Sequence, residues 1–193
     1  MFTAGSSAWQ TGSCRPPVWC HYGLRRTRHG RWGSLRSVSA RTSAGILLFR
    51  VRAGQLEVLL AHPGGPFHAT KDLGDWSIPK GEPSEDEDLA VAAVREFQEE
   101  TGAGAPDAPL VPLGSTRQKG GKVVTAWAAS GDLDPVAARS NRFEIEWPPG
   151  SGRLQSFPEI DRVAWFGTAE ARLRIKPAQA VFIDRLEEAL GAS

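Results

Sequence analysis

The chain is short of sulfur. Its 193 residues include two cysteines and one methionine, and tyrosine also occurs once. Both cysteines, Cys14 and Cys20, fall near the start, so no disulfide framework can staple the rest of the chain. This fits a reducing compartment, and a cytoplasmic location is expected. No apolar run is long enough to span a bilayer, and none has the continuity of a signal peptide, so no membrane partner is expected. Residues 1–41 lack acidic side chains altogether. They carry Arg15, Arg25, Arg26, Arg28, Arg31, Arg36 and Arg41, and they show no apolar period. That composition superficially suits a transit peptide or a nucleic-acid-binding arm. The preferred reading is a basic, disordered extension over residues 1–41, with no specific nucleic-acid partner. Cys14, Cys20, His21 and His29 make a C-x5-C-H-x7-H run, which is not a familiar zinc spacing.

All 22 acidic residues lie beyond that segment, so a net charge of +1 conceals an acidic domain expected at 42–193. Ala44–Phe49 and Leu56–Ala61 read as two strands of a hairpin turned at Arg52-Ala53-Gly54-Gln55. Trp76–Pro79 reads as a brief extended piece. Pro106, Pro109 and Pro112 mark an irregular connection. Lys122–Ala129, Phe143–Trp147 and Val163–Phe166 read as further strands. Thr168 is placed as the cap of a short helix that carries Glu170 near its start and is ended by Pro177. Val181, Phe182, Arg185, Leu186, Ala189 and Leu190 have helical spacing. Strands mixed with two substantial helices predict a layered α/β domain.

The densest information lies in GEPSEDEDLAVAAVREFQEETGA, residues 81–103. Ser84 and Glu87 are spaced as a capping box, and Asp86, Glu87 and Asp88 would sit in a first turn where the helix dipole favours negative charge. Leu89–Val94 and Phe97 supply an apolar face, and Gly102 supplies a stop, giving a helix of about four to five turns. Glu96, Glu99 and Glu100 are spaced three and four apart and so project from one side. A solvated acidic face is the ordinary explanation for such a run. Hard carboxylate oxygens gathered on one face also suit Mg2+ or Mn2+.

Gly81, Glu87, Arg95, Glu96, Glu99, Glu100 and Gly102 keep the register G-x5-E-x7-R-E-U-x-E-E-x-G-U, with U apolar. This resembles the signature box of the Nudix hydrolases, with Ala103 in a final slot where a larger aliphatic is usual. The resemblance implies an α/β/α sandwich with a mixed sheet. It also implies metal-dependent water attack on a phosphorus of a nucleoside diphosphate linked to another group. On that resemblance Glu96, Glu99 and Glu100 are metal ligands, joined by the Lys80 backbone carbonyl, while Glu87 and Arg95 support the metal site. Some members take a base from outside the box. Glu144 and Glu146 are candidates here, with Glu146 preferred. Trp76-Ser77-Ile78-Pro79-Lys80-Gly81 is similar to the W-x-x-P-K-G approach of Nudix enzymes acting on dinucleoside polyphosphates and diphosphoinositol polyphosphates.

Lys80, Arg117, Lys119 and Lys122 are candidate phosphate contacts, although a solvated basic turn explains the last three equally well. GSTRQKGGK is not a P-loop, because Gly114 is misplaced and Val123 stands where Ser or Thr is needed. Trp76, Phe143, Trp147 and Phe157 are candidate base-stacking platforms, whereas Trp165 reads as core. The leading functional reading is a pyrophosphohydrolase of nucleoside or dinucleoside polyphosphates. The alternatives are a sanitiser of oxidised nucleoside triphosphates and a catalytically silent ligand-sensing module. A homodimer is left open.

Overall fold

A computed structural model describes residues 41–191, so the extension and its Cys14, Cys20, His21 and His29 lie outside the described residues. The sheet starts with a hairpin. Strand β1 (Thr42–Arg52) returns as β2 (Gln55–Pro63) through Ala53 and Gly54, with φ of 51° and 77°. Two consecutive positive φ values give the turn a twist that matches the strands. The main sheet runs β4 (Val111–Arg117), β5 (Val123–Ser130), β1, β2, β8 (Ile160–Gly167), with β3 (Lys80–Gly81) on β1. The β1–β5 pair is parallel and the others are antiparallel, so the sheet is mixed. Strands β6 (Arg142–Glu146) and β7 (Leu154–Pro158) form a separate hairpin.

Side chains alternate across β1 and split the core in two. Ala44, Ile46 and Leu48 pack with Ala92, Ala93 and Phe97 of helix α1 (Leu89–Thr101). Leu47 and Phe49 pack on the other face with Ala171 of α2 (Thr168–Arg174) and with Phe182, Ile183 and Leu186 of α3 (Val181–Gly191). The result is the expected α/β/α arrangement. Ala103 fills its slot as a partly buried member of the α1 cluster. Trp165 packs there too, donating its indole N–H to Leu133 O.

Three local expectations are corrected. The cap of α1 is Asp88, whose Oδ1 accepts from the N–H groups of Ala90 (2.8 Å) and Val91 (3.2 Å). Ser84 and Glu87 instead close a turn upstream, with the Ser84 N–H donating to Glu87 at 2.8 Å. Asp86 at φ 61° breaks the helical path between them, so the acidic run precedes the first turn and the helix has 13 residues. Helix α2 is capped by Gly167 rather than Thr168, and it ends at Arg174, ahead of Pro177. Strand β4 includes Pro112, at a register shift between Pro112 and Gly114. A proline is tolerated there because β4 is an edge strand.

The Asp88 cap is directly testable by urea unfolding. Asp88→Ala should cost about 1 kcal/mol, and Ser84→Ala less than about 0.5 kcal/mol. The reverse order would restore Ser84 as the cap.

Candidate functional site

The site is built where α1 meets the two-residue strand β3. Glu100 accepts the backbone N–H of Lys80 at 2.7 Å, one helical turn beyond Glu96. The Glu96 carboxylate lies against Gly81 so closely that a Cβ there would collide with it. The box glycine is thus a matter of volume, since its φ is not in the positive region. A second glycine does similar work, since a Cβ at Gly45 would strike Pro79 O and the Lys80 side chain.

Arg95 organises the carboxylates around it. Its Nε and Nη2 donate to the two Glu87 oxygens at 3.0 and 2.9 Å, and its Nη1 donates to Glu96 at 2.7 Å and Glu99 at 3.3 Å. Nη2 also reaches Glu82 O at 3.2 Å. Arg95 and Ser84 together hold the Glu87 carboxyl down to about 2. Glu87 is therefore occupied by Arg95, and it is better placed to orient that arginine than to bind an ion.

Burial acts in the opposite direction on the inner pair. It raises the Glu96 carboxyl above its ordinary range despite Arg95, and it pushes Glu100 up to about 7 against the attraction of Lys80. Two partly buried carboxylates with incomplete neutralisation have the donor chemistry for a hard divalent cation. Glu99 is turned to Arg95 and largely exposed. Among the described residues no three acidic, His or Cys side chains converge as a ready-made cation cluster.

The remaining candidates separate. Glu146 accepts the Gly152 N–H at 2.6 Å and closes its own hairpin, while Glu144 is exposed. The carboxylate sequence reasoning missed is Glu159, whose charge acts on both Glu96 and Glu100. Its backbone is fixed on both sides, through N–H to Asn141 O and through O to Gly64 N–H, each at 2.8 Å. Only its position after Pro158 at the β7–β8 junction, ahead of a strand, could have drawn notice. Beside Glu100 opens a cavity of ≈ 200 Å³ whose lining includes Arg139, Asp161 and Arg162.

Trp76 is corrected as a stacking platform. It is 3% exposed, donates to Asp72, and meets His62 and Phe166 edge-on. Trp147 is partly exposed and meets Phe67 edge-on at 5.3 Å. Phe143 and Phe157 pair in the β6–β7 hairpin, with centroids 6.2 Å apart. Arg117 donates to Gly121 O, Lys119 is exposed at the same turn, and Lys122 pairs with Glu82 at 3.1 Å.

A mixed sheet between helices, with a glutamate-bearing helix driven against a glycine strand, defines an α/β/α sandwich of one particular kind. The NUDIX domain family matches residues 40–186, and the chain belongs to that family. A Caenorhabditis elegans Ap4A hydrolase is 21% identical, with TM-score 0.56 over 80% of this chain and 100% of that one. The NUDIX domain of Shewanella oneidensis NrtR, complexed with ADP ribose, is 20% identical, with TM-score 0.56 over 79% and 89%. A mutT/nudix family protein from Listeria innocua is 20% identical, with TM-score 0.52 over 79% and 94%. No curated protein matches the chain significantly. Family and fold support a hydrolase. Among the described residues no helix is long and apolar enough to cross a membrane.

The raised Glu100 carboxyl has a measurable signature in chelator. Protonated Glu100 favours the folded state, so its contribution is complete below about pH 4.5 and is lost as pH rises through about 7. Wild type should lose on the order of 2–3 kcal/mol between about pH 5 and 8 relative to Glu100→Gln. Thermal melts across that range decide it, and parallel profiles would refute the shift.

Proposed function

We propose that the protein hydrolyses a phosphoanhydride bond in a nucleoside polyphosphate or dinucleoside polyphosphate, with water attacking phosphorus. The observation that carries this reading is the pressing of Glu96 and Glu100 against Gly81 and Lys80, under-neutralised and beside a lysine. Glu96, Glu99, Glu100 and the Lys80 carbonyl would hold Mg2+ or Mn2+, which when bound supplies positive charge to phosphate oxygens. Arg95 and Glu87 keep the ligand-bearing helix in register with the loop before it.

Glu159 is assigned as the base that takes a proton from the attacking water, in place of Glu146. Glu146 is engaged by the Gly152 N–H at its own turn, whereas the Glu159 charge bears on the box carboxylates. Lys80 and Lys122 lie on the phosphate side of the reaction, and Trp147 with Phe67 offers the exposed aromatic edge for a base.

A panel of phosphoanhydrides with Mg2+ or Mn2+ tests this. Glu99→Gln should lose turnover by about two orders of magnitude or more, and Glu159→Gln should behave likewise while Glu146→Gln stays within severalfold of wild type. No turnover on any anhydride by the wild type would reject the enzymatic reading in favour of a ligand-sensing module. Preference for oxidised triphosphates over linear dinucleoside polyphosphates would favour the sanitiser.

A further inference from the structure

His62 is completely buried, and no step of the proposed hydrolysis uses it. Its ring is nonetheless held at both nitrogens. Nε2 donates to Lys71 O at 2.8 Å, since a carbonyl can only accept, and Nδ1 meets Asp161 Oδ1 at 2.8 Å. The ring also stands edge-on to Trp76, with centroids 5.1 Å apart. Burying a polar ring costs free energy unless its nitrogens are engaged, and a ring engaged at both ends ties its partners to one geometry.

One of those partners is an irregularity in the sheet. The β2–β8 ladder pairs His62 with Arg162 and then Pro63 with Ile160, so Asp161 is the extra residue of a β-bulge. The extra residue reverses the alternation of side chains. Ile160 and Val163 lie three apart, yet both pack in the α1 cluster. Bulges bend their strand, re-aim nearby side chains and gather beside active sites. This one adjoins the site, because Asp161 and Glu100 line the same cavity.

Glu159 lies two residues ahead of the bulge, and the end of β2 grips it there. The Gly64 N–H donates to Glu159 O at 2.8 Å. A Cβ at Gly64 would strike Pro158 O, so glycine is what lets the two segments approach. On the other side the Glu159 N–H donates to Asn141 O at 2.8 Å, and the Ile160 N–H donates to Ser140 Oγ at 3.0 Å. All of these bonds reach the backbone of β8 or its approach. The contact between His62 and Asp161 is the one that engages the bulged side chain itself. Were the bulge to slip by one residue, the alternation through the junction would flip. Glu159 would then be carried away from Glu96 and Glu100, on which its charge now acts.

We propose that His62 is a positioning residue for Glu159: by clamping Asp161 it fixes the bulge, and the bulge sets where the Glu159 carboxylate stands. This role rests on Glu159 serving as the base of the hydrolysis.

The two ring contacts can be separated by substitution. His62→Asn keeps an amide N–H as many bonds from the backbone as Nδ1, and so keeps the Asp161 contact. His62→Gln places its amide N–H where Nε2 stands, and so keeps the Lys71 contact alone. With diadenosine tetraphosphate and Mg2+, His62→Gln should lower kcat by about tenfold or more with KM within about twofold, while His62→Asn stays within about threefold of wild type. Added to Glu159→Gln, the His62→Gln change should cost no more than about twofold further, because nothing is left to position. A full further loss in the double variant would overturn the assignment. So would losses in the two His62 variants that follow their melting temperatures and not the contact retained, since these would show a purely structural role. Glu159→Gln turning over like wild type would instead remove the base assignment, and the role of His62 with it.

Amide hydrogen exchange on the full chain in chelator tests the clamp without turnover. The Gly64 and Glu159 N–H groups should exchange about tenfold faster or more in His62→Gln and keep their protection in His62→Asn. Unchanged protection in His62→Gln would overturn the assignment whatever happens to kcat.

Discussion

Arg95 holds together two pieces of chain that would otherwise repel or drift apart. The loop from Glu82 to Glu87 and the helix from Leu89 onward are both acidic, and a break at Asp86 separates them. One guanidinium spans the gap, with a forked contact to Glu87, further contacts to Glu96 and Glu99, and a bond to the Glu82 carbonyl. Planar, rigid donors make such multiple engagement available to arginine and not to lysine. Because the loop is fixed, β3 is delivered to β1 in one register, and because β3 is fixed, Glu96 and Glu100 meet Gly81 and Lys80.

That arrangement leaves an electrostatic imbalance with a direction. Outer carboxylates are neutralised by Arg95, whereas inner ones are driven toward protonation by burial. On the far side of β3, burial disfavours the Lys80 ammonium, Glu100 opposes that, and Lys176 and Lys122 add to it. At this two-residue strand burial thus works against the charged form of the inner carboxylates and of the lysine alike.

Much of this was legible in the sequence, for physical reasons that differ by element. The hairpin at Ala53–Gly54, the box helix and the C-terminal helix announce themselves through local periodicity and turn chemistry. The cap was misassigned because Ser84 and Asp88 are both competent acceptors, and the choice depends on the Asp86 backbone. Strand β7 was missed because LQSFP has no alternation to follow. Glu159 was invisible for a deeper reason. It reaches the box only through tertiary packing.

Pro112 illustrates how a local signal and its tertiary meaning can diverge. It suggests a break in the chain, yet it sits within β4, where the sheet ends on that side. A strand at the rim offers a row of free amide and carbonyl groups to any passing chain, which is how sheets from separate molecules fuse into aggregates. Pro112 lacks the amide, and the adjoining register shift with Gly114 at φ 71° twists the rim out of alignment. The residue that conceals β4 from a reader of the sequence also conceals it from a neighbouring molecule.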